Sequence, residues 1–94
     1  MRELSKEFIG RGQVKGFKFT QLDSNEYAYR YEVNDEGNIH YEIFYRKENS
    51  LYKCVSYPSN KAFGIWAWTS RDNAKSAKWF GKLTMLAASK ETEV

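Results

Sequence analysis

One cysteine, one proline and one histidine in 94 residues close off most chemistry that a small domain could carry. A lone Cys54 cannot form an intramolecular disulfide, so nothing staples the fold covalently and a reducing compartment suits the chain. Cys54 and His40 together cannot close a zinc site, and the carboxylates lack the spacing of a metal-binding loop. As even-numbered strand residues the two could share a face as a nucleophile and base. A satisfied sheet histidine and a small buried thiol are the simpler reading, and the chain is expected not to be an enzyme. GRGQVKG (10–16) has the glycines of a phosphate-cradling loop but not its Lys-Ser/Thr ending or the helix that follows it. No run approaches the roughly 18 apolar residues of a membrane span, and MRELSKEFIG has no apolar leader segment. These absences lead to the expectation of a cytoplasmic protein with no cofactor and no membrane association.

Aromatic residues are abundant: seven Tyr, six Phe and three Trp. A chain of this length forms one domain with one modest core, and these rings must supply much of it. Charge is unevenly spread. Residues 1–22 hold five basic and two acidic groups, residues 23–48 three and seven, and residues 49–90 seven and one. Mixed surface charge that keeps the protein in solution is one reading; a C-terminal half that attracts an anionic partner is the other.

Strand patterns fill residues 7–69. EFIGRGQVKGFKFTQL (7–22) reads as one long strand, with a bulge near Gly16 where the parity of its apolar positions changes. YAYRYEV (27–33) and IHYEIFYRK (39–47) alternate cleanly on either side of NDEGN (34–38), a hairpin signal with Gly37 available for positive φ. LYKCVSY (51–57) and FGIWAWT (63–69) read as the last two strands. Short turns favour antiparallel neighbours, which gives a meander. The odd-numbered stripes, Tyr27, Tyr29 and Tyr31 with Tyr41, Ile43 and Tyr45, are read as one aromatic face covered by a helix. Glu32, Glu42 and Glu48 are expected to pair with Arg30 and Arg46 across the strands.

After Trp68 the period changes. Thr69 or Ser70 is a candidate N-cap, with Asp72 at capping-box spacing from Thr69. A helix is predicted over about 70–88, with Gly81 either inside it or ending it, and a frayed tail over 89–94. The predicted fold is therefore a single α+β domain, residues 1–94, in which one C-terminal helix packs on a strongly twisted antiparallel sheet of about five strands.

Two binding surfaces follow from this layout. Arg71, Lys75, Lys78 and Lys82 fall within one helical stripe, bordered by Trp79, whose indole could stack on a base. Lys15 and Lys18, interleaved with glycine and phenylalanine, extend the basic texture, and together these residues point to nucleic acid or a nucleoprotein. The alternative is a protein-interaction face. Trp66 and Trp68 share one side of a strand, and with Phe44 and Tyr52 they form an aromatic surface that the single helix cannot also hide. A curled first strand around Phe17 and Phe19, a second copy in a homodimer, or a partner would then cover it.

EFIGRGQVKGFKF, IHYEIFYRK and VSYPSNKAFGIWAWTS with the helix after them resemble a group of small proteins encoded by gut Bacteroidetes and their mobile elements. The resemblance covers roughly residues 7–80 and brings no assigned activity or catalytic residues. It implies a cytoplasmic accessory protein that acts by binding.

Overall fold

Glycine and turn residues cut the first half of the chain into short strands, and the computed structural model, which describes residues 1–92, places each cut. The expected first strand is two. β1 (Glu7–Ile9) and β2 (Lys18–Ser24) pair antiparallel, joined by a 3-10 turn at Gly12–Val14 with positive φ at Gly12 and Gly16. The bulge lies further on, between Gln21 and Asp23. β3 (Ala28–Asp35) and β4 (Asn38–Tyr45) form the hairpin foreseen at NDEGN. Its two turn residues, Glu36 and Gly37, have φ of 50° and 94°, the pair of positive values that a tight hairpin turn demands. After an excursion the chain returns as β7 (Ala67–Ser70), which pairs with β4 and completes a five-stranded antiparallel sheet in the order β1-β2-β3-β4-β7. Within that excursion Glu48–Asn49 (β5) and Cys54–Val55 (β6) make a separate two-stranded ribbon, so LYKCVSY is not a strand of the main sheet.

The hairpin register decides which residues share a face. A two-residue turn pairs odd positions of β3 with even positions of β4: Tyr29 faces Phe44, Tyr31 faces Glu42 and Val33 faces His40. The two odd-numbered stripes are therefore on opposite sides of the sheet, contrary to the expectation of one aromatic face. On the first side, Phe19, Tyr29, Tyr31, Val33 and Phe44 are buried in one core with Val55, Ala62 and Ala67. On the second, Ala28 and Ile43 are buried with Leu83 of the helix, flanked by Tyr45, Trp68, Trp79 and Phe80.

The helix covers this second side, not the tyrosine stripe. α1 (Asn73–Thr92) packs on β3, β4 and β7. Its N-cap is Asp72, whose Oδ1 accepts the Lys75 backbone N–H at 3.0 Å; Ser70 Oγ in turn accepts the Asp72 N–H at 3.1 Å. The caps expected at Thr69 or Ser70 are thus moved to Asp72, and Arg71 precedes the helix. Gly81 lies inside α1, which is helical to Thr92; of the expected frayed tail, residues 93 and 94 lie outside the described residues. Burying Leu83 against Ala28 and Ile43 contributes about 2 kcal/mol.

Arg30 fixes the docking. Only 9 % exposed, it donates from Nε to Asp23 Oδ2 at 2.6 Å and from Nη1 to Asn73 Oδ1 at 2.6 Å and Ser76 Oγ at 2.9 Å. A guanidinium taken out of water needs such partners, and these tie β2 and β3 to the first turn of α1. At the other end Asn25 Nδ2 donates to Thr84 Oγ1 at 2.9 Å. No helix among the described residues is long and apolar enough to cross a membrane.

Irregular segments cover the first side. The N-terminal residues run over the tyrosine tips: Tyr29 OH donates to Glu3 Oε1 and Tyr31 OH to the Ser5 carbonyl, each at 2.6 Å. Arg2 bridges to Cys54, with Val55 N–H donating to the Arg2 carbonyl at 2.8 Å, so the N-terminus and the 46–66 excursion support one another. Arg46 anchors the far edge through Glu3 and Glu48.

Candidate binding cleft

Beyond these covering segments the first side of the sheet opens into a cleft of about 790 Å³. Its floor follows from the register: Phe8, Phe19, Val33 and His40 stand in one row across β1 to β4. The next row is Gln21, Tyr31 and Glu42. One wall is the β1–β2 connection, with Val14 and Phe17; the other is the segment from Tyr57 to Phe63. The rings are ordered against one another. Phe8 and Phe19 stack at 4.6 Å, and Tyr57 meets both edge-on at 5.5 and 5.3 Å.

Three polar groups converge at one end. Tyr57 OH donates to Glu42 Oε1 at 2.6 Å, and His40 Nε2 lies 3.0 Å from Glu42 Oε2. His40 and Glu42 are two residues apart on β4, which places both on the cleft side. Tyr57 comes from the opposing wall, so the hydrogen bond joins wall to floor. Burial, and then the charge of the Glu42 carboxylate, push the Tyr57 phenol far above its ordinary value, so it stays a donor. Glu42 therefore pairs with His40 and Tyr57 rather than with an arginine, while Glu48 does meet Arg46, at 3.0 Å. Cys54 sits on the separate ribbon and His40 on the main sheet, so they form no nucleophile–base pair. Among the described residues no group of three or more His, Cys, Asp or Glu is placed to hold a metal. A second, more polar hollow of about 580 Å³ adjoins the cleft at Phe17 and His40, and Arg71 and Asp35 line it.

The surfaces proposed from the sequence fare differently. Lys75, Lys78 and Lys82 are exposed along α1, and Arg71 is exposed just before it. Trp79 is not free to take a base: it is half-buried and stacks on Trp68 at 5.8 Å. Lys15 and Lys18 lie on the β1–β2 connection and on β2, away from the strands that carry the helix. The aromatic interaction face does not form. Phe44 is fully buried, and Trp66 packs beside it at 6.3 Å. Trp68 is on the opposite side under the helix, and Tyr52 is exposed in the turn between β5 and β6. Trp66 and Trp68 part company because β7 begins only at Ala67; Trp66 belongs to the preceding turn, where strand alternation does not hold.

The cleft residues His40, Glu42 and Tyr57 were not singled out from the sequence as a site. The i, i+2 placement of His40 and Glu42 in a cleanly alternating strand was a readable signal. The contribution of Tyr57, in a proline-containing loop, was not. No family model matches the chain, and neither a curated protein nor a solved structure does so.

Proposed function

We propose that the protein is a non-catalytic binding module whose working surface is the cleft between the β1–β2 connection and residues 57–63. One observation carries this reading: a cavity of about 790 Å³ walled by ordered aromatic rings, with three polar groups gathered at one end. Small-molecule sites have this size and this ratio of apolar wall to convergent polar groups. The unpaired Cys54 suits a cytoplasmic setting. The test is uptake of a neutral apolar dye, Nile red, followed by its emission. Ser59 is exposed and lines the cleft, so Ser59→Trp adds bulk at its edge, with far-ultraviolet circular dichroism as the check on folding. Wild type should bind the dye and Ser59→Trp should not. Absence of uptake by wild type, or equal uptake by both, overturns the proposal.

A second reading, binding of nucleic acid along α1, is favoured by one observation. Arg71, Lys75, Lys78 and Lys82 are exposed and none has an ion-pair partner among the described residues. Phosphate contacts release counterions, so retention on single-stranded DNA must be steeply salt-dependent and lost on charge reversal at Lys75 and Lys78. Elution of wild type at about 0.1 M salt or less rejects it.

A further inference from the structure

Resting on the cleft reading, we propose that the ligand is an amphipathic organic anion: an apolar ring or short chain carrying a single acid group. The apolar part is argued by half-buried Phe8, Val14 and Phe17, which line the cleft with carbon surface and no side-chain hydrogen-bonding group. The charge is argued by what each ionic side chain of the cleft still lacks. Glu42 is occupied, one oxygen by the Tyr57 hydroxyl and the other by His40. Arg11 on one wall and Lys61 on the other are exposed, and neither has a carboxylate partner among the described residues. The charged side chains of the cleft that have no protein partner among the described residues are therefore the two cations at its rim.

The two cations are not placed independently. Asn60 Nδ2 donates to Gln13 Oε1 at 2.6 Å, a link between the two walls. Asn60 is the neighbour of Lys61 in sequence, and Gln13 is two residues from Arg11. The same hydrogen bond that holds the walls together brings the segments bearing both cations to one stretch of rim. A ligand whose apolar part lies against Phe8 and Phe17 can then present its acid group to either or both. A cationic ligand gains less: it must pass Arg11 and Lys61 and share a carboxylate that already serves two partners.

Two probes separate this inference from the cleft reading. Anilinonaphthalene sulfonate is aromatic and anionic; Nile red is aromatic and neutral. Both are titrated at low salt into wild type, Arg11→Gln/Lys61→Gln and Arg11→Glu/Lys61→Glu, with far-ultraviolet circular dichroism as the check on folding. Sulfonate affinity should fall by about threefold in the neutralised variant and about tenfold in the reversed one, as expected for losing and then inverting two rim charges. Nile red affinity should stay within about twofold in both, a range set by the absence of charge on the dye. Equal behaviour of the two probes in the neutralised variant overturns the anion inference and leaves the cleft reading standing. Failure of wild type to bind either probe overturns both. Decanoate and decyltrimethylammonium, matched in chain length, are then compared as competitors of Nile red. Displacement by decanoate at the lower concentration supports the inference, and the reverse order replaces it with a cationic ligand.

Discussion

Tyr57 joins the cleft wall to its floor in two separable ways, and substitution can measure each. Tyr57→Phe deletes only the hydroxyl that donates to Glu42 at 2.6 Å. The ring keeps its edge-on contacts with Phe8, Phe19, Tyr31 and Phe44, at centroid distances of 5.5, 5.3, 5.2 and 4.8 Å. A hydrogen bond to a charged group contributes about 1.5–3 kcal/mol. The Glu42 side chain is only 13 % exposed, which argues against the bottom of that range. It keeps His40 as a partner and borders an open cleft from which water can enter, which argues against the top. The expected cost is about 2 kcal/mol, read as a lower urea midpoint at unchanged m-value, or a melting temperature roughly 8–16 °C lower for a domain this small. Tyr57→Ala, which also empties the space among four rings, should cost about 3–5 kcal/mol. The decisive control is the same Tyr57→Phe change made in a Glu42→Leu background. With no carboxylate to donate to, the hydroxyl should matter by less than about 0.5 kcal/mol, so the two changes couple by more than 1 kcal/mol. A cost below about 0.5 kcal/mol in wild type, or an equal cost in both backgrounds, refutes the reasoning.

Two glycines should respond in opposite directions. Gly81 lies in mid-helix with open space around the position of a Cβ, so Gly81→Ala should stabilise by about 0.5–1 kcal/mol in urea unfolding. At Gly10 a Cβ would run into the Val14 carbonyl oxygen and come within 2.8 and 2.9 Å of Val14 Cγ2 and Phe19 Cε1. Gly10→Ala should therefore cost about 1–3 kcal/mol and weaken Nile red uptake, because the displaced atoms belong to a cleft wall and the floor. Burial, with the hydrogen bond to Glu3 second, pushes the Tyr29 phenol up to about 12; stability is intact below pH 10 and lost as pH rises toward 12, and Tyr29→Phe should make that decline shallower. Glu3 is held at about 2 by its hydrogen bond to Arg46 first and to Tyr29 second. Its contribution is present above pH 4.5 and fades as pH falls toward 2, yet Glu3→Gln should flatten the acid limb by less than about 1 kcal/mol, since a carboxylate 56 % exposed is screened.

The periodic parts of the chain were legible and the relations between them were not. Alternation in YAYRYEV and IHYEIFYRK marks β3 and β4, and NDEGN marks the turn between them. Whether Tyr31 faces Ile43 or Glu42 depends on the number of residues in that turn, because one residue more or less exchanges the faces of an entire strand. With Glu36 and Gly37 alone in the turn, Tyr31 faces Glu42, and the carboxylate arrives on the aromatic side. The same error of relation moved the helix. Read as one aromatic face, the stripes asked for an apolar lid; once separated, Ala28, Ile43 and Tyr45 receive Leu83 and Phe80, and Arg30 finds Ser76 and Asn73. The Trp pair failed for a simpler reason. Period two describes a strand, and Trp66 lies one residue before it.

That separation of faces also accounts for where the cleft lies. The second side meets a helix, whose regularly spaced side chains can fit between the rows of a sheet. The first side meets the N-terminal residues, the β1–β2 connection and the 46–66 excursion, whose regular pieces are only two or three residues long. Such segments close over the sheet where a specific bond holds them, as Glu3 and Ser5 do on Tyr29 and Tyr31. Tyr57 bonds one wall to the floor, and a side-chain hydrogen bond between Gln13 and Asn60 joins the two walls. Between the two contacts the cleft opens over the row of Phe8 and His40, beneath which Phe19 and Val33 are buried. The opening is therefore edged by half-buried Phe8, Val14 and Phe17, by the Glu42–Tyr57 hydrogen bond at 2.6 Å and by the exposed Arg11 and Lys61.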